Sequence, residues 1–168
     1  MNAALAIAVC TLVGAVTAPN ASVAETKKVD GYEGYKFGLT LEQALKVRPY
    51  AKQIHCDYDD ATTCIEYQST ISGFPATVTV QFRPTNQLLL SKILIAFSSM
   101  DEPIDHTCTE VGKELLKLLL PKYGEDPLIK DHQVTWSSPE GGSVSLSVLC
   151  IGPEKGLNVI SYQPSSAL

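Results

Sequence analysis

The fold is decided by one stretch, residues 107–124, which has the sequence TCTEVGKELLKLLLPKYG. It begins with Thr107 and Glu110, which have the three-residue spacing of a capping box. In that motif each side chain bonds a backbone N–H of the other residue, so Thr107 is a predicted helix cap, and Asp105 is a second plausible one. Pro121 is expected to kink or end this helix, because proline lacks the N–H of an intrahelical bond. Gly124 suits a left-handed C-cap.

The predicted helix has one apolar side. Its apolar residues recur at helical spacing, while Lys113, Glu114 and Lys117 lie outside the stripe. We expect the stripe to pack on a sheet whose strands have apolar residues at every second position. The stripe consists of Cys108, Val111, Leu115, Leu118 and Leu119.

A shorter helix is predicted near the start of the domain, after a polar lead over residues 25–36. Thr40 and Gln43 form a second capping box. Apolar residues then follow helical spacing as far as Arg48, which precedes Pro49. A residue before proline is disfavoured in helical conformation, so the helix is expected to end there.

Four strands are predicted between the two helices from alternating apolar and polar residues. The fourth has apolar residues on both sides, which indicates a central strand or one covered from both sides. On that strand Leu94 and Ala96 lie opposite Ile93, Ile95 and Phe97. The predicted strands are 53–58, 63–69, 76–83 and 89–98, separated by turn residues that include Gly73, Pro75, Pro84 and Asn86.

Three further strands are predicted after the long helix, at 132–137, 143–151 and 157–163, with turns at 139–142 and 152–156. Strands that follow one another without intervening helices favour antiparallel pairing. We therefore predict an α+β fold with an antiparallel sheet of about seven strands, packed by two helices in the order helix, four strands, helix, three strands. Residues 25–168 are expected to form a single domain, stapled by disulfides.

The amino-terminal segment, residues 1–24, contains no Asp, Glu, Lys or Arg. Its apolar run over residues 3–16 is too short to span a bilayer and has the length of a secretory signal. Small residues at Ser22 and Ala24 predict cleavage after Ala24. The protein is thus predicted to be periplasmic or secreted. Two alternatives stay open: a buried amino-terminal helix, and a start codon further upstream.

Four cysteines remain after removal of the signal, which takes Cys10 with it. An even number in an exported chain favours two disulfides, and three pairings are possible. Cys56 and Cys64 flank a loop between two predicted strands, so they are the expected hairpin bridge. Cys108 and Cys150 then form the second bridge, each on the apolar side of its own element. The alternation of side chains along the strands disagrees with this hairpin bridge. If Ile65 faces the core, Cys64 points to solvent, whereas Cys56 lies on the same side as Ile54. A β-bulge or a bridge on the exposed side would resolve the disagreement.

The loop between the first two strands, residues 55–64, has the sequence HCDYDDATTC and the highest density of reactive side chains. Disulfide formation removes the thiolates that a metal ion or a nucleophilic mechanism would use. Asp57, Asp59 and Asp60 could bind calcium, but the spacing lacks the glycine and the final glutamate of an EF-hand. We predict a stapled, solvated loop, with no metal, cofactor or catalytic residue.

The three histidines, His55, His106 and His132, are scattered along the chain, and no nucleophile motif accompanies them. A net charge of −5 without a Lys/Arg cluster argues against nucleic acid as a partner. No later apolar run is long enough to cross a membrane. Trp136 is predicted to be a core or sheet-edge aromatic.

A resemblance to known exported proteins rests on three features of the sequence. They are Phe37-Gly38-Leu39-Thr40 before an acidic amphipathic helix, Lys122-Tyr123-Gly124, and Trp136. The chain resembles the helix starts of outer-membrane assembly lipoproteins of the SmpA/OmlA type and the tandem α-plus-sheet domains of the β-lactamase-inhibitor-protein type. The resemblance implies a non-enzymatic periplasmic module. Unlike the lipoproteins, the chain has no usable lipobox, so an outer-membrane anchor is not expected.

The predicted function is that of a non-enzymatic binding module for another envelope or extracellular protein. Two rows of small hydrogen-bonding side chains lie opposite apolar strand faces and are the candidate contact surface. They are Thr77, Thr79 and Gln81 on one strand and Ser143, Ser145 and Ser147 on another. The alternative interpretations are solvated strand faces without a partner, and a small secreted hydrolase or calcium-binding protein that uses the 55–64 loop. The oligomeric state is not determined by the sequence.

Overall fold

The structure is a computed structural model. It describes residues 28–58, 61–84, 88–98, 106–138, 141–152 and 154–165, without the side chains of 57, 58, 61 and 62. The predicted signal segment, its cleavage point and Asn86 lie outside the described residues. The elements are β1 Gly31–Tyr32, β2 Tyr35–Lys36, α1 Leu41–Val47, β3 Lys52–Tyr58, β4 Ala61–Ile71, β5 Phe74–Pro84, β6 Leu88–Ser98, α2 Cys108–Tyr123, β7 Leu128–Lys130, β8 Gln133–Ser137, β9 Ser143–Ile151 and β10 Lys155–Gln163.

The predicted α+β architecture is confirmed, with a large antiparallel sheet and two helices. The main sheet has the strand order β3-β4-β5-β6-β10-β9-β8-β7, so it contains eight described strands where about seven were predicted. The extra strand is β7, which is only three residues long. A separate hairpin, β1–β2, lies in the segment predicted to be a polar lead. Its tight turn depends on Glu33 and Gly34, both with positive φ.

The main sheet has two different faces, which we call the helix face and the opposite face. The helix face carries the core, because α1, α2 and the β1–β2 hairpin pack on it. Strand β6 is the fourth of eight, which confirms the prediction of a central strand. The buried residues of the helix face include Ile65, Tyr67, Val78, Val80, Phe82, Ile93, Ile95, Phe97, Val144, Leu146, Ile160 and Tyr162.

Helix α1 begins as predicted. Thr40 is its N-cap and both bonds of the capping box are present, at 2.9 Å and 3.3 Å. The backbone just before the cap pairs with β6, since the N–H of Gly38 donates to the carbonyl of Leu90 and the N–H of Leu90 donates to that of Leu39. These bonds fix where α1 enters, and its Ala44 is fully buried.

Helix α2 buries Cys108, Val111, Leu115 and Leu119, as predicted, but Leu118 is 40% exposed. At 100° per residue, Leu118 lies at the margin of the stripe, whose centre is shifted towards Gly112 and Tyr123. A Cβ on Gly112 would be 2.9 Å from Asn158 Oδ1 and 3.1 Å from a methyl of Val148. The absence of that Cβ lets the helix lie close to β9 and β10.

The end of α2 agrees with the prediction in its C-cap, which is Gly124, and differs from it at Pro121. Pro121 neither ends the helix nor stops its last turn, which continues to Tyr123. Pro121 and Lys117 both lie on the exposed side, so the carbonyl that loses its intrahelical donor can bond water. Gly124 has the expected positive φ of 110°, but its ψ of 161° is extended and not left-handed helical.

Several predicted turn residues belong to strands. Pro75 and Pro84 lie at the two ends of β5, paired with Thr70 and Leu88. Lys155 and Gly156, predicted to be in a turn, begin β10. Strand ends tolerate proline and glycine because few backbone hydrogen bonds between strands are lost there.

Candidate binding face

The opposite face of the sheet is defined by the register of its strands. One row crosses it through Thr79, Leu94, Ser161, Ser145 and Thr135. The next crosses it through Thr77, Ala96, Val159, Ser147 and Gln133. The helix–sheet contacts described above all fall on the other side of the sheet. Within the described parts of the chain, no helix or strand packs on these two rows.

An aliphatic strip runs along the middle of the opposite face. Ala96 pairs with Val159, and Leu157 pairs with Leu149 one row further along. Leu149 is 52% exposed, and the other members are partly exposed. The strip consists of Leu94, Ala96, Leu149, Leu157 and Val159. The sequence pattern marks only Leu94 and Ala96 as apolar residues on this side, because the strip forms where β6, β10 and β9 lie side by side.

The two predicted rows of hydrogen-bonding side chains lie on the opposite face, but they are less exposed than expected. Thr79, Gln81 and Ser145 are buried, while Thr77, Ser143 and Ser147 are partly exposed. Gln81 is only 2% exposed and its Nε2 has no hydrogen-bond partner. Gln81 is therefore a poor candidate for contact with a partner, and the accessible surface is the aliphatic strip with its flanking hydroxyls.

The Cys56–Cys64 bridge is present, with a Cα–Cα distance of 5.9 Å. The parity conflict disappears because Ile54, and not Gln53, pairs with Cys64. Ile54, Cys56 and Cys64 therefore share the opposite face of the sheet. Both cysteines are buried there, so the expectation that Cys64 points to solvent is wrong. A register shift also occurs between His55 and Tyr58.

The Cys108–Cys150 bridge is also present, with a Cα–Cα distance of 5.8 Å. Cys150 has the parity of Val144, Leu146 and Val148, so it lies on the helix face below the start of α2. The pairing predicted from the sequence is the pairing found. The bridge ties the long helix to the end of the β9–β10 hairpin.

The three histidines are placed far apart in the fold: His55 on β3, His106 just before α2 and His132 in the turn between β7 and β8. His106 makes an edge contact with Phe74, with ring centroids 5.1 Å apart. In the described residues, no group of three His, Cys, Asp or Glu side chains is close enough to hold a metal ion. Asp59 and Asp60 lie outside the described residues, as does the side chain of Asp57.

A tyrosine cluster, missed by sequence analysis, holds the β1–β2 hairpin to the sheet. Tyr35 stacks on Tyr67 with ring centroids 5.9 Å apart. The Arg48 guanidinium lies 4.5 Å from the centre of the Tyr67 ring, donates to the Tyr50 hydroxyl at 2.5 Å and pairs with Glu33. Tyr32 packs on Tyr162 at 5.3 Å. The residues come from separate elements, so no local motif marks them.

Two phenols of this cluster are buried without a hydrogen-bond partner, those of Tyr35 and Tyr67. Burial raises the pKa of Tyr67, against the lowering effect of the Arg48 charge, and it raises the pKa of Tyr35 as well. Burial is also the largest cause of the raised pKa values of Tyr32 and Tyr162. In each case the folded state favours the neutral phenol.

The raised pKa values of these tyrosines favour folding at neutral pH and predict that the protein becomes unstable at high pH. An ordinary tyrosine has a pKa of about 10, and the folded-state values lie above it. The stabilisation is complete below about pH 10 and is lost as pH rises further, because only the unfolded chain releases these protons readily. We expect the phenolate absorbance of the buried tyrosines, Tyr35, Tyr67 and Tyr162, to appear together with loss of the near-ultraviolet circular dichroism signal. Gradual ionisation in a folded protein would contradict the burial of the cluster.

Comparisons with known proteins found no matching family model, no matching curated protein and no matching solved structure. The described helices include none that is long and apolar enough to cross a membrane.

Proposed function

We propose that this protein is an exported, non-enzymatic binding module that recognises another envelope or extracellular protein through the opposite face of its sheet. The observation that carries the proposal is the aliphatic strip, with hydroxyl side chains on both flanks and no described element packed over it. Contact surfaces between proteins combine an apolar centre with a polar rim and few charges at the centre. The two disulfides are compatible with an oxidising, exported location.

The extent of the strip suits a folded protein partner. It crosses three neighbouring strands, β6, β10 and β9, on the surface of the sheet. A small ligand would instead need a concave pocket.

The composition of the strip also favours a protein over a nucleic acid. Its five residues are uncharged, and the whole chain has a net charge of −5. Nucleic-acid binding depends on Lys and Arg side chains that neutralise phosphates. The resemblance to exported modules of the SmpA/OmlA and β-lactamase-inhibitor-protein types supports the same class of function.

The proposal predicts that a charge in the strip abolishes partner binding without unfolding the protein. Val159 lies at its centre, between Ala96 and Ser147, and is partly exposed. Val159→Arg should weaken binding by more than about tenfold, since a charge would be buried in the contact, while the thermal midpoint changes little. The measurement is site-specific photo-crosslinking from positions 157 and 159, followed by titration of the crosslinked partner.

The matched control is Lys113→Glu, on the exposed side of α2, which should leave binding unchanged. Crosslinks from residues 157 and 159 to one distinct protein, with the crosslink from residue 157 lost when Val159→Arg is added, would support the proposal. Crosslinks to a second copy of the chain would replace the proposed partner with self-association. Absence of any crosslink in the native envelope would overturn the proposal.

A further inference from the structure

The Cys108–Cys150 disulfide lies in a setting that differs from that of the other bridge. Cys108 is the first residue of α2 and is fully buried. Cys150 is partly exposed, between Leu149 and Ile151, and Ile151 is 74% exposed. Both cysteines of the Cys56–Cys64 bridge are buried. Of the four bridged cysteines, Cys150 is therefore the one that is not buried, and its side of the second bridge is the side nearest to solvent.

Two features near the Cys108 sulfur favour a thiolate there, against the opposing effect of its burial. The positive end of the macrodipole of α2, a helix of 16 residues, lies at this position. Asn158 is 1% exposed, and its Nδ2 donates to the Cys108 carbonyl at 3.0 Å and lies 3.5 Å from its Sγ. A helix amino terminus lowers the pKa of a cysteine thiol, and a thiol with a lower pKa leaves faster in thiol–disulfide exchange.

Asn158 also borders a small cavity. Its Oδ1 is buried without a hydrogen-bond partner. The cavity leaves about 10 Å³ for the centre of a water-sized sphere, which is room for about one water molecule. Phe74, Phe97, Cys108 and Val111 are among its lining residues. The cavity next to Cys108 is therefore small, lined mostly by apolar side chains, and bordered by the polar side chain of Asn158.

We propose that the Cys108–Cys150 bridge is a redox-sensitive anchor of α2, opened by an external dithiol that attacks Cys150 and releases Cys108. The thiolate of the dithiol forms a bond to Cys150 Sγ, and the electron pair of the old S–S bond leaves on Cys108 Sγ. The second thiol of the reductant loses its proton and attacks the mixed disulfide. Cys150 is then released as a thiolate and the reductant becomes a cyclic disulfide. The two protein thiolates take protons from solvent.

Opening this bond removes the covalent link between the first turn of α2 and the sheet, while the rest of the helix stays packed. Two hydrogen bonds still hold the turn, from Asn158 Nδ2 to the Cys108 carbonyl and from the Cys108 N–H to the Glu154 carbonyl at 3.3 Å. The buried residues Val111, Leu115 and Leu119 are not part of the bridge. The change is a loosening at one end of the helix and not global unfolding.

The test is timed reduction of the intact, oxidised protein with dithiothreitol under native conditions, followed by alkylation and peptide mass spectrometry. Cys108 and Cys150 should become alkylated about tenfold faster than Cys56 and Cys64, because access governs exchange rates. With the monothiol glutathione, the mixed disulfide should form on Cys150. Asn158→Leu should slow the opening about threefold or more, because the donor to the leaving sulfur is removed. Ser161→Ala, on the same strand and the opposite face, should have no effect.

Equal or reversed rates for the two bridges would overturn the proposal, and so would a mixed disulfide on Cys108. An unchanged rate in a folded Asn158→Leu variant would exclude the role of Asn158. If that variant fails to fold, the order of opening and the site of the mixed disulfide in the unaltered protein still decide the outcome.

Discussion

Leu115→Ala should lower the free energy of unfolding by about 2–5 kcal/mol, as for other leucines in well-packed cores. Leu115 is fully buried on the stripe of α2 that faces the sheet. Leu146 and Val144 are buried on the helix face of β9, the strand that this helix contacts. Truncation removes apolar surface from the core and leaves a cavity that the surrounding side chains fill only in part. Urea denaturation at equilibrium provides the measurement.

The same helix offers a matched control. Leu118 is the same residue type three positions away, but it is 40% exposed. Leu118→Ala should cost less than about 1 kcal/mol, and Lys113→Ala no more than about 0.5 kcal/mol. If Leu115→Ala proved as mild as these two changes, α2 would not pack on the sheet in the orientation described.

Replacement of both Cys108 and Cys150 by serine should cost about 4 kcal/mol, the largest effect that we expect from any disulfide change in this protein. The bridge closes a loop with a sequence separation of 42, and the chain-entropy relation gives about 4 kcal/mol for that length. Replacement of Cys56 and Cys64, with a separation of 8, should cost about 2.5 kcal/mol. Guanidinium denaturation of the two double variants measures the difference.

Loop length and reactivity act in opposite directions for these bridges. The longer loop makes Cys108–Cys150 the more stabilising bond at equilibrium, whereas the exposure of Cys150 makes it the faster one to open. A smaller loss of stability for the 108–150 variant than for the 56–64 variant would show that native-state strain outweighs chain entropy here. Non-reducing peptide mapping of the mature protein, from which residues 1–24 with Cys10 are predicted to be removed, should find both bonds and no free thiol.

The local signals in the sequence correspond closely to the structure. The capping boxes at Thr40 and Thr107 start both helices at the expected residues, because a cap is made by side chains within four residues of one another. Strand alternation placed Val78, Val80 and Phe82 on the buried face, because the period of two is a property of the strand itself. Both cysteine pairs also followed from their elements and loop positions.

Other features depend on the register between strands, which local patterns in the sequence do not specify. The pairing of Ile54 with Cys64 decides that Cys56 lies on the same face as Cys64, and a shift of one residue would have put the two cysteines on different faces. The short strands β1, β2 and β7 have too few residues for a periodic pattern and exist through pairing with a neighbour.

The sequence by itself determined where the helices start, which strand residues enter the core and which cysteines pair. Tertiary structure alone decided the aliphatic strip and the tyrosine cluster. The aliphatic strip appears only when Ala96, Val159 and Leu149, from three strands, become neighbours across the sheet. The cluster likewise requires Arg48 to reach Tyr67 from another element. Contacts between residues far apart in the chain depend on strand order and register, and the periodicity of a single strand does not contain that information.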